Sequence, residues 1–156
     1  MPATGNWLSF VRAAALVLVT LALLPGGAHV SELANKIDLP RDQYMVVQQI
    51  YRGWALFGIV ILPALAATAT QAFLLRHDAV AFRLSLAAFL CLAGAQAVFW
   101  LFTFPINVAS ANWTKVPEGF EAARQQWEYS HAAGAGLTGA ALLALITIHS
   151  KSARTP

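Results

Sequence analysis

The stretch Arg124-Gln-Gln-Trp127-Glu128-Tyr-Ser-His131 gathers four side chains capable of chemistry where a polar loop passes into the last apolar run. At about 100° per residue, Arg124, Trp127, Glu128 and His131 lie on one helix face over two turns. An imidazole that titrates near neutrality serves as a general base. A carboxylate beside it orients the ring, an indole offers a flat apolar surface, and a guanidinium holds an anion. The competing reading is interfacial decoration, aromatic anchors plus ion pairs worth a few tenths of a kcal/mol.

Two further sets carry similar groups. His29, Glu32 and Lys36 share a face if the chain there is helical, and Glu32–Lys36 is an i,i+4 pair in the favourable order. Gln48, Tyr51 and Arg52 lie at i, i+3 and i+4 just before an apolar run. Asn107 and Trp113 fall near and within the loop that precedes the first motif.

The elements that position these groups follow from composition. The 156 residues are 58% hydrophobic and 11% charged, against roughly 25% charged in soluble domains. Four apolar runs, about 7–30, 54–75, 79–104 and 129–148, each approach the roughly 20 residues needed to cross a bilayer core. The expected fold is all-α: one integral membrane domain, residues 1–156, a four-helix transmembrane bundle with two long loops on one side. The net charge of +3 comes from few charges and is not read as nucleic-acid binding. A single cysteine, Cys91, excludes an intramolecular disulfide and Cys-x-x-Cys redox chemistry.

Pro25-Gly26-Gly27 is expected to end or kink the first run, which is read as a retained span rather than a cleaved leader. One helix is expected from Pro40 to Leu75, its first turns projecting from the membrane or bending along it. Pro105 is expected to close the third span, and a short amphipathic helix from Pro117 to lead into the fourth. Gln71 and Gln96 read as helix–helix hydrogen bonds, and the small residues around Gly134, Gly136 and Gly139 as close packing inside the bundle.

With four consecutive spans, His29, Glu32, Lys36, Tyr51, Asn107, Trp113, Arg124, Trp127, Glu128 and His131 all belong to one end. Six of the seven acidic residues share that end, while the termini and the 76–78 turn carry the positive balance. Both termini are therefore expected in the cytoplasm. A polar and aromatic site for a small hydrophobic substrate at the outer mouth follows.

His29-Val-Ser-Glu32-Leu-Ala-Asn35-Lys36, Gln48-Gln-Ile-Tyr51-Arg-Gly-Trp54, Asn107, Trp113 and Arg124-x-x-Trp127-Glu128-x-x-His131, in that order, resemble a bacterial and fungal family of four-span membrane proteins. Its best-known members are anthrone oxygenases. One turn after the histidine that family commonly has an arginine, and this chain has Gly134.

The resemblance implies a bacterial inner-membrane, cofactor-independent monooxygenase acting on an electron-rich polycyclic phenol with dioxygen, with no metal or organic cofactor. His131 would remove a proton, with Glu128 or Glu32 orienting an imidazole and His29 beside it. Asn107 or Tyr51 would hydrogen-bond the oxyanion, Trp113 and Trp127 would stack on the substrate, and Arg124 and Lys36 would complete its contacts. Two rivals stand beside this. One is a metal- or haem-binding redox protein using His29 and His131, with His77 and His149 as a second pair. The other is a non-catalytic accessory subunit, docked through its loops on a membrane complex or on a second copy.

Overall fold

The computed structural model describes residues 3–152, and side chains from 6 to 150. The chain beyond Ser152, including Arg154, and the side chain of Lys151 lie outside the described residues. Among the described residues there is no strand. Helix α1 runs Ala3–Lys36, α2 Arg41–Val47, α3 Gly58–Leu74, α4 Ala79–Val98, α5 Phe104–Ala109 and α6 Phe120–Ser152. Two short 3₁₀ turns, Gln48–Tyr51 and Trp54–Phe57, join α2 to α3, and a π-helical turn, Phe99–Thr103, joins α4 to α5.

Four helical stretches are long and apolar enough to cross a membrane: Asn6–Lys36, Trp54–Leu74, Ala79–Ala109 and Phe120–Ser150. About a fifth of each is buried within the protein. Most of each span is thus an outward apolar surface, as a lipid-facing helix requires. The chain is an all-α, membrane-type four-helix bundle in which α1 packs on α3, α3 on α4, α4 on α6 and α6 back on α1.

Its core is built from small residues. Ala15 and Val19 of α1, Ala64 of α3, Ala88 and Leu92 of α4, and Ala141 and Leu145 of α6 are almost fully buried. Lipid tails are as apolar as leucine, so spans associate through close packing rather than exclusion of water. One close approach bears on the site: a Cβ on Gly26 would stand 3.1 Å from the Ala135 Cβ and 3.4 Å from its Cα. Gly26 lies one turn before His29 and Ala135 one turn after His131, so this contact sets how near the two imidazoles come.

Helix α1 does not end at Pro25-Gly26-Gly27; it continues to Lys36 with Pro25 inside it. Proline inside a membrane helix is tolerated where packing against neighbouring helices holds the helix together, and here the close α1–α6 contact at Gly26 directly follows Pro25. The continuous helix expected over 40–75 is broken instead. Gly53 has φ +89° and caps the Trp54–Phe57 turn in a left-handed conformation natural only to glycine. The break swings Tyr51 and Trp54 over the end of α1. Pro105 does not close the third span, because it sits in the first turn of α5, where its missing N–H costs nothing. The last helix is one uninterrupted element from Phe120.

Among the polar groups inside the bundle, Gln71 is fully buried and donates to Ser85 Oγ at 3.1 Å, an α3–α4 hydrogen bond. At the opposite end from the site, Asp78 caps α4 by accepting from the Val80 and Ala81 amides.

Replacing Gly26 with valine places branched carbon against the Ala135 backbone. We expect Gly26→Val to fold with a stability loss of about 1–3 kcal/mol, typical of overpacking, read as a lower thermal midpoint in detergent. An unchanged midpoint would mean that the α1–α6 approach is looser than described.

Candidate functional site

Lys36, in the last turn of α1, is 2% exposed and is the hub of the loop end. Its Nζ lies 3.1 Å from Glu128 Oε1, 3.2 Å from Tyr51 Oη, 3.3 Å from His29 Nδ1 and 3.6 Å from Glu32 Oε2. It also lies over the Tyr51 ring at 4.7 Å and the Trp127 ring at 5.4 Å, as a cation over the negative face of an aromatic does. A buried ammonium is stable only when it is paired and hydrogen-bonded, and here four groups from α1, the Gln48–Tyr51 turn and α6 meet that need.

Glu128 is the other half of the pair and is 1% exposed. Besides Lys36, its Oε1 accepts from Tyr44 Oη at 2.7 Å and Gln48 Nε2 at 3.3 Å. Burial, and then the Glu128 carboxylate, push the Tyr44 hydroxyl well above its ordinary pKa. Tyr44 therefore remains a neutral donor across the physiological range.

The imidazoles meet beside this network. The ring centres of His29 and His131 are 4.4 Å apart. His29 also packs on Tyr51 at 4.3 Å, Trp127 at 4.8 Å and Trp54 at 5.9 Å, and His131 on Trp127 at 4.0 Å. Backbone partners define the tautomers. His131 Nδ1 lies 2.9 Å from the Trp127 carbonyl, which only accepts, so Nδ1 carries the proton and Nε2 the lone pair. The Lys36 ammonium only donates, so His29 Nδ1 accepts from it and His29 Nε2 carries the N–H. One ring thus offers a base and its neighbour a donor. His29 is buried and His131 only partly so.

The remaining expected residues act at one remove. Glu128 bonds to Tyr44, Gln48 and Lys36 rather than to an imidazole; it anchors Lys36, which holds His29. Glu32, 40% exposed, reaches Lys36 from the rim. Asn107 Oδ1 accepts from the Trp127 indole N–H at 2.7 Å and so fixes the wall rather than offering a free amide oxygen. The π turn carries Thr103 to α6, where its hydroxyl meets Ser130 Oγ at 2.7 Å. Ser130 in turn donates to the same Trp127 carbonyl that holds His131.

Trp113 is 3% exposed and packs edge-on against Tyr44, Phe120 and Trp127. It stands in a left-handed run, Ala111, Asn112 and Trp113 with φ of 47°, 53° and 63°. Residues without glycine's freedom hold that conformation only when the surroundings impose it. Here Trp113 N–H donates to Ser110 Oγ, and the Trp113 carbonyl accepts from Gln49 Nε2 at 2.7 Å. Arg124 does not join the cluster. It donates to the Leu39 carbonyl at 2.6 Å, pairs with Glu121 and covers the Tyr44 and Phe120 rings. Its role is to pin the loop after α1 onto α6.

Two participants were not singled out beforehand as site residues, Tyr44 and Gln48. Gln48 shared a helical face with Tyr51, which was a signal; Tyr44, a lone interfacial tyrosine four residues earlier, gave none beyond that spacing. The surface depression of about 390 Å³ bounded by Pro40, Arg41, Asp42, Phe120 and Glu121 includes none of the Lys36 network.

Among the described residues, no three or more His, Cys, Asp or Glu side chains are grouped to hold a metal. The donor set does not fit one either. Lys36 places a positive charge against His29, and both carboxylates are turned to that ammonium. A haem iron held between His29 and His131 at about 2 Å per nitrogen needs the rings further apart than they are. No family model, no curated protein and no solved structure matches the chain.

Removing one partner of a buried ion pair leaves the other uncompensated, at a cost of about 3–5 kcal/mol. Lys36→Met and Glu128→Gln should each lower stability strongly, and the double variant should cost less than the sum of the two. A double-mutant cycle from denaturant unfolding measures the coupling; additivity would show that the pair is not a unit.

Proposed function

We propose that the chain is a membrane enzyme that oxygenates a small apolar phenol, of the polycyclic class, by base-assisted reaction with dioxygen. The observation that carries this reading is the convergence of His29 and His131, with ring centres 4.4 Å apart, inside an aromatic wall backed by a buried ammonium. Interfacial anchors and surface ion pairs have no reason to converge, and accessory docking has no use for a buried imidazole stacked against a second, half-buried one. The resemblance to the anthrone oxygenases supplies the substrate class.

His131 Nε2 takes a proton from the activated CH₂ of the reduced substrate, which becomes a phenolate-like anion. The anion gives its electrons to dioxygen and a C–O bond forms at that carbon. The resulting peroxide breaks its O–O bond, and the proton held on His131 leaves with the distal oxygen and the carbon's second hydrogen as water. The CH₂ thus becomes C=O, one oxygen atom is retained, and no proton is gained or lost overall. Tyr51 accepts from Lys36 at 3.2 Å and keeps its own O–H for the developing oxyanion. With glycine at position 134, the positive charge of the site comes from Lys36. Trp127 and Trp54 present flat faces to the substrate.

His131→Gln should lower oxygen uptake with anthrone by about 10²–10⁴-fold, the usual contribution of a positioned base, with the thermal midpoint little changed. Uptake equal to wild type would dismiss His131 as the base. Copper, iron or haem in stoichiometric amount in the purified wild type, lost in the variant, would replace this mechanism by a redox centre.

The charge asymmetry favours both termini in the cytoplasm and the site facing outward, and the family resemblance suggests a bacterial inner membrane. A fluorescent protein fused to the C-terminus should then be bright, and an alkaline phosphatase fusion inactive; the reverse pattern would invert the topology.

A further inference from the structure

The hydrogen bonding of Glu128 is lopsided. Tyr44, Gln48 and Lys36 all converge on Oε1, at 2.7, 3.3 and 3.1 Å. Oε2 is buried and accepts from nothing among the described residues. Gln48 Oε1 is likewise buried and without a donor, although Gln48 Nε2 is itself bonded to Glu128. The two residues are 1% and 3% exposed. A carboxylate shares its charge equally between its oxygens, and a buried acceptor without a donor is costly and uncommon. Two such acceptors on a bonded pair of side chains, with Tyr44, Gln48 Nε2 and Lys36 all committed to the other oxygen, mark a place able to receive a donor.

The kind of donor follows from the surroundings. A second cation would stand against the Lys36 ammonium, so the donor is neutral. Tyr44, bonded to the carboxylate, and Trp127, under the Lys36 ammonium, supply aromatic surface nearby, and that ammonium contacts both Glu128 and His29. We infer that Glu128 Oε2 and Gln48 Oε1 form an acceptor subsite that recognises a neutral hydroxylated aromatic through its phenolic O–H. This rests on the reading of the site as phenol-binding and adds a specificity element to it. Glu128 touches the ligand's hydroxyl, while His131 acts at the reacting carbon.

An O–H donor in this place is either a ligand hydroxyl or a resident water, and a methyl ether separates them because it cannot donate. Detergent-purified full-length protein is titrated with β-naphthol and with its methyl ether, with binding read by quenching of tryptophan fluorescence. Wild type should bind the naphthol at least tenfold more tightly. In Glu128→Gln three donors hold the remaining oxygen in place, so an amide N–H₂ replaces Oε2 and the preference should fall to within twofold. Gln48→Met, which removes only the neutral partner, should reduce it in part and serves if the first variant fails to fold. The wild-type comparison needs neither variant.

Equal binding of naphthol and ether by wild type overturns the subsite and assigns the two oxygens to water. Binding of neither overturns both the subsite and phenol recognition. A hydroxyl preference without oxygen uptake from anthrone leaves the subsite standing and removes the oxygenase reading, whereas uptake without the preference does the opposite.

Discussion

Everything at the loop end depends on keeping the Lys36 ammonium satisfied away from water. An isolated charge in such a place is prohibitive, and a paired one is tolerable only with good geometry and a full set of partners. The partners come from three separate parts of the chain: His29 and Glu32 from α1, Tyr51 from the 3₁₀ turn, and Glu128 from α6. None of these elements can shift alone without exposing the charge. The ammonium therefore ties α1, the 3₁₀ turn and α6 together at one point, and it leaves His29 with its Nδ1 engaged and its Nε2 as the protonated nitrogen.

A second constraint works from below. The α1–α6 contact at Gly26 and Ala135 has no side chain to yield, so the helix axes are held close one turn beneath the imidazoles. The Trp127 carbonyl, shared by Ser130 and His131, fixes the ring from α6, and Asn107 fixes the indole next to it. Rigid backbone below and a paired charge above hold the imidazoles between them, and the broken helix over Gln48–Phe57 is tied in through Gln48 and Tyr51.

Much of this was legible from residue order alone. Hydropathy marks the spans because each stretch is long and apolar, and four consecutive crossings necessarily bring His29 and His131 to one end. What was not legible depends on packing. Pro25 and Pro105 read as stops, since a lone proline says nothing of the neighbours that re-satisfy a helix around it. The break near Gly53 was hidden inside an apolar run that is equally compatible with an unbroken helix. Arg124 shares a face with Glu128 and His131, yet its long side chain reaches past them to the Leu39 carbonyl, a loop whose path no periodicity describes. Glu128 and Lys36 were both singled out separately, but their mutual pairing across 92 positions could not be read from spacing.

The π turn at Phe99–Thr103 has a consequence for how relatives of this chain would be compared. Buried residues of α4 recur as 81, 85, 88, 92 and 95, a regular seven-residue alternation, and then jump to 103 and 110. A regular helix would present position 102 to α6, so the π turn accounts for one additional residue and advances the later face by about 100°. Thr103 and Asn107 reach Ser130 and Trp127 only because of that extra residue. A homologue with an unbroken helix here would carry one residue fewer near the loop end of the span, and an ungapped comparison would misassign every site residue on that helix beyond the turn.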